Sequence, residues 1–224
     1  MIRPIIEPFG DSGVLVTLGD RIDVELSGQA AALAEVIHEA NRDRPGWRRP
    51  VPAYASVLVP VDPVDPGVEA AIERIRPVVD AIARDQARRP EPDPSIVIEL
   101  PTVYGGPHGP DLATVAELHG LRPTDVVELH AGTLYTVHFL GFAPGFAYLG
   151  EVPETIATPR LATPRTRVPA GSVGIADRQS AVYPFTSPGG WRLIGRTAMS
   201  LWVVTRDPPA LLRPGDRVRF IPVR

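Results

Sequence analysis

Along the first half of this 224-residue chain, apolar residues recur in two rhythms. GVLVTL, residues 13–18, follows the turn-forming FGDSG and predicts a strand. From Asp23 to Ala40, Leu26, Ala30, Leu33 and Ile37 are spaced as one face of an amphipathic helix. The stretch NRDRPGWRRP ends that helix. SVLVPVD (56–62) alternates as a strand through Val57, Val59 and Val61. Asp65-Pro66 opens a second helix with Val68, Ile72, Ile75, Val79 and Ile82 on its buried face. Pro77 within it predicts a kink or a break.

RPEPDP (89–94) alternates proline with charge and leaves little to bury, so it reads as a linker. The expected division is 1–88, a small α+β domain; 89–95, the linker; and 96–224, a second domain. There, IVIEL (96–100) and TLYTVHFL (133–140) predict strands. DLATVAELHG and PTDVVELHAG between them predict short helices closed by Gly120 and Gly132. From Gly141 onward no helix is predicted. SVGIA, SAVYP, WRLIG and SLWVV are short apolar runs separated by Gly and Pro, the pattern of an all-β barrel or sandwich. RPGDRVRFIPV closes the chain as a turn and a strand.

The net charge of −3 gives no basic excess of the kind that nucleic-acid binders carry. No cysteine is present, which excludes disulfides and thiolate sites within this chain. All 23 basic residues are arginine, which excludes a Schiff-base lysine, a P-loop lysine and a biotin-bearing lysine. No stretch approaches the roughly 20 apolar residues of a membrane helix, so a cytoplasmic protein is expected.

ATPRLATPRTRVPAGSVGI (157–175) says ATPR twice, and its prolines predict a stiff extended ribbon. Arg165 and Arg167 fall on one face of such a ribbon, with Arg160 toward the other. Arginine forks bind carboxylate and phosphate bidentately. Gly171 and Gly174 would let backbone N–H groups approach an anion, with the Ser172 hydroxyl as a further donor. The bland alternative is a surface loop whose arginines pair with local acids.

GFAPGFAYLG (141–150), ATPRLATPRTRVPAGSVGIA and VYPFTSPGGWRLIGRT together resemble the KipI / allophanate hydrolase subunit 1 family, whose members are mostly called the B component of 5-oxoprolinase (PxpB). YGGPHGPDL (104–112), LRPGDRVRF and the FGDSG opening extend the resemblance over the whole chain. It implies a small N-terminal α+β domain followed by a cyclophilin-like β-barrel. It also implies a subunit of an ATP-dependent enzyme that opens 5-oxo-L-proline to L-glutamate, with a PxpC-like paired barrel (KipA / allophanate hydrolase subunit 2) and a PxpA-like protein as partners. Cleft positions carried over are Phe142, Pro144, Gly145, Phe146 and Tyr148 in the first segment. The second supplies Arg160, Pro164, Arg165, Arg167, Pro169, Gly171 and Ser172. The third supplies Tyr183, Pro188, Gly189, Gly190 and Trp191. Two stretches depart from the family pattern: Pro107-His108 stands where an acidic–aromatic pair is commoner, and AMSLWVVTRDPP lacks an expected Leu-Phe-Asp.

Histidines at 38, 108, 119, 130 and 138 show no metal-ligand spacing, so no metal site is expected. His119 and His130 sit at predicted helix ends, where capping is the common role. His138 and Ser172 are the candidate catalytic groups, each beside a commoner structural or anion-binding role. His108, in a Gly-Pro loop, is open to either reading. Ser172 and Ser187 lack a G-x-S-x-G elbow. Trp191 and Trp202 read as core or interface rings. Three functions stay open: the 5-oxoprolinase subunit, a carboxyl-transfer subunit of a urea amidolyase-like system, and a KipI-like inhibitor of a sensor histidine kinase.

Overall fold

The structure, a computed structural model, describes residues 4–84 and 97–224. Within that range the chain forms two compact units that divide between those segments. The expected linker and boundary at 89–95 lie outside the described residues.

The first unit is an antiparallel sheet backed by two helices. Its strands are β1 (Ile5–Pro8), β2 (Gly13–Thr17), β3 (Val51–Pro52) and β4 (Ser56–Pro60), in the order β1-β2-β4-β3. α1 (Val24–Asn41) starts at Asp23, whose carboxylate accepts the Glu25 and Leu26 N–H groups at 2.8 and 3.1 Å. Such a cap contributes about 1 kcal/mol. α2 (Val68–Arg84) continues through Pro77, so the helix does not break there. Pro77 and Glu73 are both exposed, so the carbonyl that proline cannot pair is left on a solvated face. Val14, Val16, Val57 and Val59 of the sheet close on Leu33 and Ile37 of α1 and on Ile75 and Val79 of α2. The 4-3-4 and alternating patterns are thus the two sides of one core.

The second unit is a closed seven-stranded barrel, which together with the first unit makes the protein α+β. Its strands are β5 (Val97–Tyr104), β6 (Tyr135–Leu140), β7 (Ala147–Gly150), β9 (Ser172–Ala176), β10 (Gln179–Val182), β12 (Arg192–Thr197) and β13 (Arg217–Val223). They close in the order β10-β7-β6-β13-β5-β12-β9. β5 and β13 pair in parallel, Val97 opposite Arg217 through Val103 opposite Val223; the remaining pairs are antiparallel. α3 (Leu112–Leu118) and α4 (Pro123–Gly132) fill the connection from β5 to β6. Gly120 ends α3 in the left-handed region, φ +64, and the Leu121 N–H closes the turn on Ala116 O. Gly132 remains inside α4. A single 3₁₀ turn, Glu154–Ile156, interrupts the otherwise helix-free stretch after Gly141. β8 (Arg165–Val168) and β11 (Ser187–Gly189) form a separate two-stranded ribbon.

His130 lies in the barrel core, fully buried, and does not cap α4. The Ser180 hydroxyl donates to Gly174 O and therefore accepts from His130 Nε2–H at 2.9 Å. That leaves Nδ1 to accept the Tyr104 hydroxyl at 2.8 Å. Burial pushes the imidazole down to about 3, and it stays neutral. His119 does occupy the C-cap position of α3, and its Nε2 meets the Thr158 hydroxyl at 3.0 Å.

Candidate functional site

The three glycine- and aromatic-rich segments come together on the barrel. β8 from the second pairs with β11 from the third, Gly189 opposite Arg165 and Ser187 opposite Val168. Leu161 N–H donates to Gly190 O at 2.7 Å, and Arg192 Nε reaches Pro159 O at 3.3 Å. Residues 157–164 are not a strand; Thr158 makes only an isolated bridge to Asp177. The stiff ribbon is regular only from Arg165 onward.

The first segment supplies rings. Phe146 is buried, with ring centroids 5.0 Å from Tyr148, 5.4 Å from Tyr183 and 5.7 Å from Trp191. Edge contacts of this kind contribute beyond simple burial. Phe142 stands above them, 64% exposed, 5.2 Å from Phe146 and 6.5 Å from Tyr183. Its φ of +65 is rare for a bulky residue, and the Ala143 N–H closes back on Gly141 O at 2.7 Å. Tyr183 is buried and Tyr148 half-buried, and burial raises both phenols. The Arg160 guanidinium opposes that rise at both, and Arg165 opposes it at Tyr183. Arg160 and Arg165 therefore both act on Tyr183, and the expectation that Arg160 lies toward the opposite side rests on regular alternation. The regular extended geometry behind that expectation does not reach Arg160.

Arg165 is already paired within the chain. Its Nη2 donates to Asp111 Oδ1 at 2.7 Å, and its Nη1 lies 3.5 Å from Trp191 O. Asp111 Oδ2 accepts the Leu193 N–H at 2.6 Å. One buried carboxylate thus ties the 104–112 loop to β8 and β12. Arg167 is exposed.

Gly171 has a structural reason to be glycine. Its φ is +81, and a Cβ there would stand 2.1 Å from Thr197 O. Its N–H donates to Tyr183 O at 2.7 Å, so the anion-binding role expected of that N–H is not open to it. Gly174 approaches the Trp191 side chain, 3.1 Å from an added Cβ. Ser172 is 2% exposed inside β9, so the residue is buried rather than open to solvent. His138 is buried against Gly150, where an added Cβ would stand 2.1 Å from its Nε2, and it does not border the cleft below.

That cleft, about 360 Å³, opens beside Gly171. Its walls include His108, Arg196, Thr197, Met199, Ser200 and Pro184. His108 and residues 198–200 belong to the two stretches that depart from the family pattern, and they meet here. Arg196 Nε donates to Ala170 O at 2.8 Å. Sequence reasoning singles out neither Asp111 nor Arg196, although both lie in recognisable motifs, YGGPHGPDL and GRT. Among the described residues no group of three or more His, Asp or Glu could hold a metal ion. Nor is any helix there long and apolar enough to cross a membrane.

A profile for the carboxyltransferase domain, subdomain C and D, matches residues 4–212, which span both units and place the chain in the carboxyltransferase-domain class. The chain is 39% identical over 226 residues to the 5-oxoprolinase B component of Bacillus subtilis (strain 168), covering 98% of this chain and 93% of that protein. It is 56% identical over 149 residues to the protein of the same name from Escherichia coli O157:H7, covering 64% of this chain and 68% of that one. The crystal structure of TTHA0988 superposes with a TM-score of 0.78 at 36% identity, covering 95% of this chain but 40% of that longer one. The K. lactis urea amidolyase shares the fold, with a TM-score of 0.74 at 20% identity over 98% of this chain and 15% of that one. The chain belongs to the carboxyltransferase-domain family that contains the B components of 5-oxoprolinase.

Proposed function

We propose that this chain is one subunit of an ATP-dependent 5-oxoprolinase that opens 5-oxo-L-proline to L-glutamate. Likeness to a 5-oxoprolinase B component along 98% of the chain is the observation that carries the reading. The exposed face of the barrel supports the need for companions. Phe142 is held out on a turn that costs of order 1–3 kcal/mol, and strain at an exposed aromatic favours a contact made by a second chain. Arg167 on the ribbon and Arg160 in the loop before it are exposed and give that region positive charge. A PxpC-like barrel is the expected cover for the ring face, with a PxpA-like protein completing the assembly in the cytoplasm. ATP is used by the assembly, and biotin has no lysine in this chain to which it could be joined.

The test is reconstitution with the two partner proteins and measurement of glutamate formed from 5-oxo-L-proline with and without ATP. ATP-dependent glutamate is expected from the three together and none from this chain alone. Absence of glutamate from the full assembly overturns the reading. Carboxyl transfer to urea is the second reading, favoured by 29% identity over 121 residues to the urea amidolyase of Saccharomyces cerevisiae. It requires a biotin-bearing partner, so activity that persists when avidin is added removes it.

A further inference from the structure

The cleft beside Gly171 has a composition the proposed function does not by itself explain. Its lining carries one arginine, one histidine and two hydroxyl residues, and no carboxylate. Val103, Pro184 and Met199 supply apolar wall. A cavity of about 360 Å³ is at the small end of the range for ligand pockets.

The guanidinium is aimed before anything binds. Arg196 lies on β12, whose backbone is fixed by pairing with β9 and β5, Arg196 standing opposite Ser172 and Val103. Its Nε bond to Ala170 O fixes the plane of the fork, which lowers the entropy lost on binding. Ala170 can sit there because glycine at 171 allows the chain to cross Thr197 closely. The carbonyl orients the cation without neutralising it, so its charge remains for a ligand. His108 and Ser200 lie on the same walls and bring an imidazole and a hydroxyl residue to the cleft.

We propose that this cleft is a complete binding site for a small carboxylate with a compact apolar body. Arg196 takes the carboxylate, and Met199 with Pro184 packs the body. Resting on the 5-oxoprolinase reading, 5-oxo-L-proline is the ligand of that class to expect. The site lies wholly within this chain and is separate from the Arg165 clamp.

The experiment is a titration of the full chain followed by amide NMR, with 5-oxo-L-proline, L-proline and 2-pyrrolidinone as probes. Saturable shifts at Gly171, Thr197 and Ser200 are expected with 5-oxo-L-proline. The uncharged 2-pyrrolidinone, which lacks the carboxylate, is expected to give none. Arg196→Met should weaken binding about tenfold or more, the worth of one charge-assisted hydrogen bond. Ser200→Asp, at an exposed position and so harmless to folding, should weaken it likewise by placing negative charge on the wall. No saturable binding, shifts confined to the ring face, or equal binding by parent and Arg196→Met each overturn the proposal. If the reconstituted enzyme makes glutamate with an unchanged KM in Arg196→Met, the site is wrong and the functional reading stands. If the cleft binds carboxylates generally, L-proline included, while the assembly makes no glutamate, the site stands and the functional reading fails.

Discussion

Arg165 and Arg196 are both anchored within the barrel unit, but to chemically different partners. Arg165 gives Nη2 to the Asp111 carboxylate, whose side chain is 9% exposed. Arg196 gives Nε to a backbone carbonyl at the edge of a cleft. A carboxylate both orients and neutralises a guanidinium, and in a partly buried place the pair becomes a structural tie. A carbonyl only orients it. The arginine that looks most like a ligand group in the sequence is the tie, and the less conspicuous one keeps its charge.

The largest effect should come from cutting the tie. Asp111→Ala leaves both Arg165 and the Leu193 N–H without their acceptor, and a loss of about 2–4 kcal/mol is expected from urea unfolding. Asp111→Asn should recover part of it by keeping an oxygen for Leu193. A loss below roughly 0.5 kcal/mol for Asp111→Ala would make the pair ornamental and remove the contrast.

Next comes Gly171→Ala, which meets both the left-handed backbone and the 2.1 Å approach to Thr197 O. A cost of about 2 kcal/mol or more is expected in the same assay. It should be accompanied by loss of carboxylate binding, because Ala170 O would no longer hold Arg196. Stability unchanged in this variant contradicts the crossing on which the cleft depends.

The His130 network gives a control away from both arginines. Its native value of about 3 lies below the ordinary 6.5, so between those values the unfolded chain holds the extra proton. Its contribution is fully present above about pH 6.5 and is lost as pH falls toward 3. The slope approaches about 1.4 kcal/mol per pH unit. His130→Gln should unfold with a shallower pH dependence in that window; an identical slope means the imidazole titrates normally in the fold.

Smallest of all is the effect of Arg196→Met on stability, expected at less than about 0.5 kcal/mol, as for an exposed group with one bond to a carbonyl. A loss comparable to that of Asp111→Ala would make Arg196 a second tie.

Much of the fold is legible in the sequence because its signals are local. Leu26, Ala30, Leu33 and Ile37 share a face whatever lies elsewhere, and Gly120 ends α3 as a left-handed cap. β1 and β3 escape such a reading because IIEP and VP are short and proline-bearing, and only pairing with β2 and β4 makes them strands. The site is legible as a gathering of three segments, but not in its wiring. Nothing near Arg165 in the chain shows that Asp111, 54 residues away, will take its charge. Likewise Gly171 and Ser172 read as an anion loop, whereas the ladder to Tyr183 and burial in β9 use them internally. Which arginine remains available depends on long-range pairing, and spacing along the chain does not report it.

The most direct test is one titration of 5-oxo-L-proline into Arg165→Met and Arg196→Met beside the parent protein. An affinity close to the parent's is predicted for Arg165→Met, and one about tenfold or more weaker for Arg196→Met. The opposite order would show that the paired arginine is the ligand group and contradict the division of roles between the two.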